Sequence, residues 1–330
     1  MMCWPVRREL WGSHLEAAER DYAEIARVIA RYEPVTMIAP PLAAGRASRH
    51  CGATVAIFEL PIDDSWARDT GPLVVVDGRG HRRVIDYRFN GWGDKYRPYD
   101  DDDALASRLV TEWMGQRADW SYQRRAMVLE GGSIAVDGEG TLVTTQQCLL
   151  HPNRNPALAR VQIEGALRDD LGASQVIWLP YGLADDQDTD GHVDNVAAFP
   201  HPGIVLLQGC HEYDESDHDR LAVNLRCVLG APDARGRTLA TVEMPVLPFA
   251  VVGARRVAGP YLNLVAGNGF VIVPVCGHPA DDDMLDIVSA CYPGRDVVPV
   301  PGATLAYGGG GPHCITQQIP PTVPPPDPRS

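Results

Sequence analysis

The chain has 330 residues, 45% hydrophobic and 22% charged. That is enough apolar material for a large core without a metal or disulfide scaffold, and too little charge for extensive disorder. Forty-three acidic against 29 basic residues give a formal net charge of −14, a field that repels nucleic acid and anionic membranes and draws in small cations.

In chain order, Met1-Met2-Cys3-Trp4-Pro5 lacks the basic and apolar regions of a signal peptide. No apolar run approaches the ~20 residues of a membrane span, so the cytoplasm is the expected compartment. The spacing predicts a helix over 13–32, with Leu15, Ala18, Tyr22, Ile25, Ala26 and Ile29 on one face and Ser13 as its N-cap. A second is expected over 156–171, opening on Pro156, and weaker ones over 103–116, 217–229 and 280–291. Strands are expected at Val35–Ala39, Leu73–Val76, Arg83–Tyr87, Ser133–Val136, Thr141–Thr144, Gln175–Leu179, Ile204–Leu207 and Gly269–Val273. Asp100–Asp103 reads as a solvated loop that starts a helix, and Pro320–Ser330 as an extended surface tail. The whole of 1–330 is expected to form one catalytic domain.

Asp69, Glu130, His192, Asn263 and Cys314 recur at near-regular intervals, each where a β-rich run meets a turn. Five similar modules around an axis, each sending one strand end inward, would produce that spacing. A doubly wound sheet is the simpler alternative, but its phosphate-binding fingerprint is missing.

The chemistry begins at Gly308-Gly309-Gly310-Gly311-Pro312-His313-Cys314. Four glycines allow close backbone approach, and the thiol that follows is placed as a nucleophile. A partner imidazole would lower its pKa, and His192 is the candidate general acid and base. Alternation in an extended Gly191-His192-Val193-Asp194 would put His192 and Asp194 on one face. The same alternation turns His313 away from Cys314, which makes His313 structural. Asp69 follows Trp66-Ala67-Arg68, and Glu130 precedes Gly131-Gly132. Several buried carboxylates around a thiol suit a planar guanidinium, whose N–H fork they can grip while its carbon faces the sulfur. The other seven cysteines have no C-x-x-C pairing and read as buried and inert. His192, His211 and His218 lack tight ligand spacing. No metal is expected, and the chemistry needs no organic cofactor.

These motifs, together with Cys148-Leu149-Leu150-His151-Pro152-Asn153-Arg154-Asn155-Pro156 and Asp188-Thr189-Asp190-Gly191-His192-Val193-Asp194-Asn195, resemble the agmatine deiminase/bacterial peptidylarginine deiminase family. The resemblance implies a five-bladed pseudo-symmetric α/β propeller (pentein) of ββαβ modules. It implies hydrolysis of agmatine to N-carbamoylputrescine and ammonia, with Cys314 as the thiouronium-forming nucleophile and His192 as acid/base. Asp69 and Asp194 would hold the guanidinium, Glu130 would support it and orient His192, and Trp66 and Asp188 would lie near the amine tail. Asn153 to Pro156 matches a structural turn with no assigned chemistry. Gly311-Pro312 replaces the asparagine and aliphatic residue usual in agmatine enzymes, which bears on substrate choice. Deimination of peptidyl-arginine, amidinotransfer and a non-catalytic binding role are the alternatives. The expected partner is a small cationic guanidine, with no nucleic acid or membrane; a homo-oligomer, dimer or tetramer, is left open.

Overall fold

Short apolar strands cannot bury both faces alone, and the helices between them each carry an apolar stripe to cover one face. The computed structural model describes residues 1–115 and 120–320. Its strands form five three-stranded sheets and one separate hairpin, Phe249–Val252 with Arg255–Ala258.

Four sheets share one plan: the first strand is antiparallel to the middle one, which is parallel to the third. They are built from Leu73–Val76, Arg82–Arg88 and Trp120–Val128, from Ile134–Val136, Thr141–Thr145 and Gln175–Leu179, from Ala197–His201, Ile204–Gln208 and Ala240–Met244, and from Val265–Gly267, Phe270–Val275 and Asp296–Pro301. The parallel pair needs a crossover. Helices Arg160–Leu171, Asp217–Val228 and Asp281–Cys291 supply it in the last three.

The remaining sheet pairs Met2–Cys3, Val35–Ala39 and Val55–Glu59, all parallel. Its antiparallel neighbour comes from the far end of the sequence, where Thr316 bridges Met2. Met1 N donates to Gln317 O and Gln317 N donates to Met1 O, both at 2.9 Å. A ring of modules has two open edges until first and last meet, and pairing them removes both. Cys314 sits two residues before this closure, so the seam also fixes the thiol. Leu15–Ile29 packs Ala18, Tyr22, Ile25, Ala26 and Ile29 into a core shared with Met37, Phe270 and Ile272. Each such side chain contributes on the order of 1.5–3 kcal/mol by leaving water.

Several local expectations need correction. Ser13 lies in a 3-10 turn and His14 precedes the helix, so Ser13 is not the cap. The helix predicted from Pro156 begins at Arg160, and Gln162 closes its start by accepting from Ala159 N at 2.8 Å. The segment expected over 103–116 is broken into Leu105–Arg108 and a wide turn Leu109–Met114. Asp100–Asp103 does open a helical turn, but Asp102 is buried, its Oδ1 accepting from Asp63 N (2.9 Å) and Asp64 N (3.2 Å). Helices Pro41–Cys51 and Ala303–Gly308 escaped sequence reading: the first buries only the small side chains of Ala44, Ala47 and Cys51, and the second is six residues long. The proline-rich tail beyond Pro320 lies outside the described residues. No described helix is long and apolar enough to cross a membrane.

Candidate active site

The turn Trp66-Ala67-Arg68-Asp69 is a single helical turn, Ala67–Thr70, tied to the seam by Arg68 N donating to Cys314 O at 3.0 Å. Arg68 Nε also reaches His313 O at 3.3 Å. Asp69 is thereby delivered beside the thiol although 245 residues separate the two in sequence. Its Oδ2 accepts from Trp92 Nε1 (3.0 Å) and its Oδ1 from Gly132 N (2.9 Å). Burial, only partly offset by His192, pushes its carboxyl up to about 6.

The segment around His192 is not extended. Val193–Asn195 is a 3-10 turn with His192 at its N-terminal boundary, yet the His192 and Asp194 side chains still converge beside Gly132, where a Cβ would lie 2.5 Å from His192 Nδ1 and 3.1 Å from Asp194 Oδ2. His192 is 1% exposed, its Nδ1 is 3.9 Å from Asp69 Oδ2, and neither ring nitrogen makes a hydrogen bond of ordinary geometry. Burial opposes its positive charge, but Asp69, Cys148 and Asp194 outweigh that and raise its pKa well above the usual histidine range.

His313 is more than structural. His313 and Cys314 lie in a turn rather than a strand, so both side chains reach Asp194. His313 Nδ1 is 2.7 Å from Asp194 Oδ2, and Cys314 Sγ is 3.4 Å from the same oxygen. Burial works against the charge on Asp194, but the His313 contact prevails and holds its carboxyl below the usual range. Burial, with Asp194 and Asp69 adding to it, raises the Cys314 thiol well above its ordinary value. Opposing this are a backbone hydrogen bond from Gly311 and, after it, Asn263, whose Nδ2 donates to Sγ at 3.0 Å. Asn263 Oδ1 accepts from His313 N (3.0 Å) and Cys314 N (3.3 Å), while Nδ2 also donates to Asn195 Oδ1 at 2.9 Å. One amide therefore shapes the turn and touches the sulfur. Sequence spacing placed Asn263 among the strand ends but gave it no role.

Glu130 is fully buried, and Arg154 Nε donates to its Oε1 at 2.6 Å. Arg154 also bonds Asp190 Oδ2 (2.7 Å) and Thr189 O (2.9 Å). The turn assigned no chemistry thus supplies the counter-charge beneath the site; a buried arginine among carboxylates was the signal available. Glu130 Oε2 is left without a hydrogen bond.

Trp66 is buried, stacked on Trp11 with ring centroids 6.0 Å apart. Gly310 makes room for it: a Cβ there would lie 2.5 Å from the indole and 3.0 Å from Cys314 Cβ. Asp188 is 36% exposed and accepts from the Tyr96 hydroxyl at 2.5 Å. Cys314, Asp69, Trp66 and Asp188 line one narrow pocket of about 360 Å³, counted to its open mouth, with Trp92, Tyr96 and Asp64. Asp64 was not anticipated; burial, against the Arg7 ion pair at 2.7 Å, pushes it up to about 6. A far wider cavity lies among the first strands of four of the sheets and reaches Arg68, Asp194 and His313. The thiol lines the narrow pocket and not the wide one, so the narrow one is where a ligand could meet the sulfur.

The family model described as Porphyromonas-type peptidyl-arginine deiminase matches residues 1–320. Agmatine deiminase of Stutzerimonas stutzeri is 39% identical over 343 residues, covering 97% of this chain and 92% of that protein. Agmatine deiminase of Pseudomonas aeruginosa is 39% identical over 345 residues, with 97% and 92% covered. Among solved structures, agmatine deiminase of Enterococcus faecalis, described as catalysing its reaction, has a TM-score of 0.91 at 32% identity over 98% of this chain and 93% of that one. A cysteine-to-serine variant of C. jejuni agmatine deiminase with substrate bound has a TM-score of 0.86 at 27% identity, covering 96% and 91%.

Proposed function

The chain belongs to the Porphyromonas-type peptidyl-arginine deiminase family, and from that premise we propose that it hydrolyses agmatine to N-carbamoylputrescine and ammonia. The observation that carries this reading is the approach of Cys314 Sγ to Asp194 Oδ2, at 3.4 Å, beside a narrow pocket that Cys314 lines together with Asp69. Curated relatives at 39% identity over nearly the whole chain bear the same activity in their names.

Asp69 and Asp194 grip the guanidinium from two sides, which leaves its central carbon facing Cys314 Sγ. In the resting pocket the thiol is protonated, because burial and two carboxylates oppose a thiolate. A guanidinium held about 4 Å away offsets roughly 4 kcal/mol of that opposition at an effective dielectric constant near 20, about three pKa units. The substrate itself therefore helps to generate the nucleophile. The Cys314 S–H proton passes to solvent, sulfur adds to the carbon, His192 as imidazolium gives its proton to one nitrogen, and ammonia leaves with the C–N bonding pair. The thiouronium that remains is attacked by water. His192 removes a water proton, the C–S bond breaks, and the departing thiolate takes up a proton. Glu130, held by Arg154, keeps negative charge beneath His192 and so favours its protonated form.

Trp66 and Asp188 receive the aliphatic chain and the terminal amine, with Asp64 adding negative charge to that end. One catalytic unit spanning 1–330 and a cytoplasmic setting belong to the same proposal, the latter supported by eight free cysteines. The test is ammonia release from agmatine, arginine, blocked arginine and guanidinobutyrate. Agmatine should be turned over best, and Cys314→Ala should abolish the reaction. Ammonia release surviving in Cys314→Ala would overturn the mechanism, and preference for blocked arginine would overturn the substrate.

A further inference from the structure

Three buried side chains converge at His192: Glu130, Cys148 and His192 itself, exposed by 0%, 0% and 1%. One donor atom from each lies within 4.8 Å of the other two. Glu130 Oε2 and both nitrogens of His192 have no hydrogen-bond partner, an expensive state for groups removed from water. The Thr145 hydroxyl locks the arrangement. It accepts from Cys148 N at 3.2 Å and donates to Gly191 O at 2.6 Å. The turn that carries the thiol and the turn that carries the imidazole are thus joined through one oxygen. The nearest cation, Arg154, is already matched by Glu130 and Asp190, which leaves Asp69, Asp186 and Asp194 to make the surroundings negative.

We propose that Glu130, Cys148 and His192 form an inhibitory binding site for a soft divalent cation of the zinc or cadmium class. A sulfur, an imidazole nitrogen and one carboxylate oxygen suit those metals, whereas magnesium and calcium demand mostly oxygen. Tetrahedral coordination brings ligand atoms to under 4 Å from one another, so the triangle contracts by about an ångström on binding. As the metal bonds form, the Cys148 S–H proton and one N–H proton of the His192 imidazolium leave to solvent, and the freed sulfur and ring-nitrogen lone pairs bind the metal. No bond is otherwise broken. The inhibition rests on the reading of His192 as proton donor, because an imidazole held by a metal cannot form the imidazolium that both transfers need; the binding itself does not.

The test uses full-length protein stripped of metal. Cadmium should produce one equivalent of thiolate-to-metal charge-transfer absorption in the wild type and in Cys314→Ser, and none in Cys148→Ser. His192→Asn, which retains both thiols, should weaken cadmium binding at least tenfold. Zinc should inhibit ammonia release, with the half-inhibiting concentration at least tenfold higher in Cys148→Ser. Absence of the band in the wild type, its loss in Cys314→Ser rather than Cys148→Ser, or unchanged affinity in His192→Asn would each overturn the site. Stoichiometric binding that leaves ammonia release intact would support the site and instead count against His192 as the proton donor.

Discussion

Replacing Asn263 by alanine removes the donor on Cys314 Sγ, at 3.0 Å, and the acceptor for Cys314 N, at 3.3 Å. A hydrogen bond to a charged partner is worth roughly 1.5–3 kcal/mol. At about 1.4 kcal/mol per pKa unit, the thiol should titrate one to two units higher, and kcat/KM on the rising limb of the pH profile should fall about tenfold to hundredfold. Stability should fall by at least a comparable amount. His313 N keeps a bond to the Asn263 backbone oxygen at 3.2 Å, but Cys314 N and Asn195 Oδ1 lose their Asn263 partners, at about 1–3 kcal/mol for each buried group left unpaired. Asn263→Asp keeps both backbone contacts but places another carboxylate beside the sulfur, and should raise the thiol further. The assay is the rate of iodoacetamide alkylation against pH, run beside the pH profile of kcat/KM, with urea unfolding as control. An Asn263→Ala protein that lost activity but alkylated with an unchanged pH midpoint would refute this account.

Arg154→Leu leaves Glu130 charged and unpaired in a fully buried place, which should cost about 3–5 kcal/mol in urea unfolding; Glu130→Gln in the same chain should recover part of it, and an unchanged midpoint would exclude the pairing. Gly132→Ala sets a Cβ 2.5 Å from His192 Nδ1 and 2.9 Å from Asp69 Oδ1, so kcat should drop at least a hundredfold while circular dichroism stays near wild type. For Asp69, with a folded value of about 6 against an ordinary 3.8, the folded protein binds a proton that the unfolded chain releases. Its contribution to stability is therefore present below pH 4 and lost as pH rises from about 4 to 6. Asp69→Asn should remove that loss, shifting the stability difference in favour of the variant by up to about 3 kcal/mol between pH 4 and 7; parallel unfolding profiles would contradict the buried-carboxyl argument.

Asp69, Glu130, His192, Asp194 and Cys314 could be found in sequence because each sits next to a glycine or turn, and such positions bring strand ends to an axis. The near-regular interval of Asp69, Glu130, His192, Asn263 and Cys314 pointed to repeated modules. What misled was the assumption of local extension. Period-two alternation brought His192 and Asp194 together for the wrong reason, and wrongly turned His313 away, because both segments are turns. Arg154, Trp92, Asp64 and Asn263 were missed or undervalued because their importance lies in partners far along the chain, at sequence separations of 24, 23, 57 and 51 for the contacts that matter.

From the sequence alone came the chemical inventory: a thiol on a glycine turn, an imidazole, three carboxylates, an acidic field and five modules to carry them. Only the tertiary structure determined their charge states and couplings. Those depend on which groups leave water together and at what distance, and burial is a property of the closed ring rather than of any segment. The seam at Met2 and Thr316 is the clearest case: two runs at opposite ends of the chain have no reason to pair until five sheets bring them round.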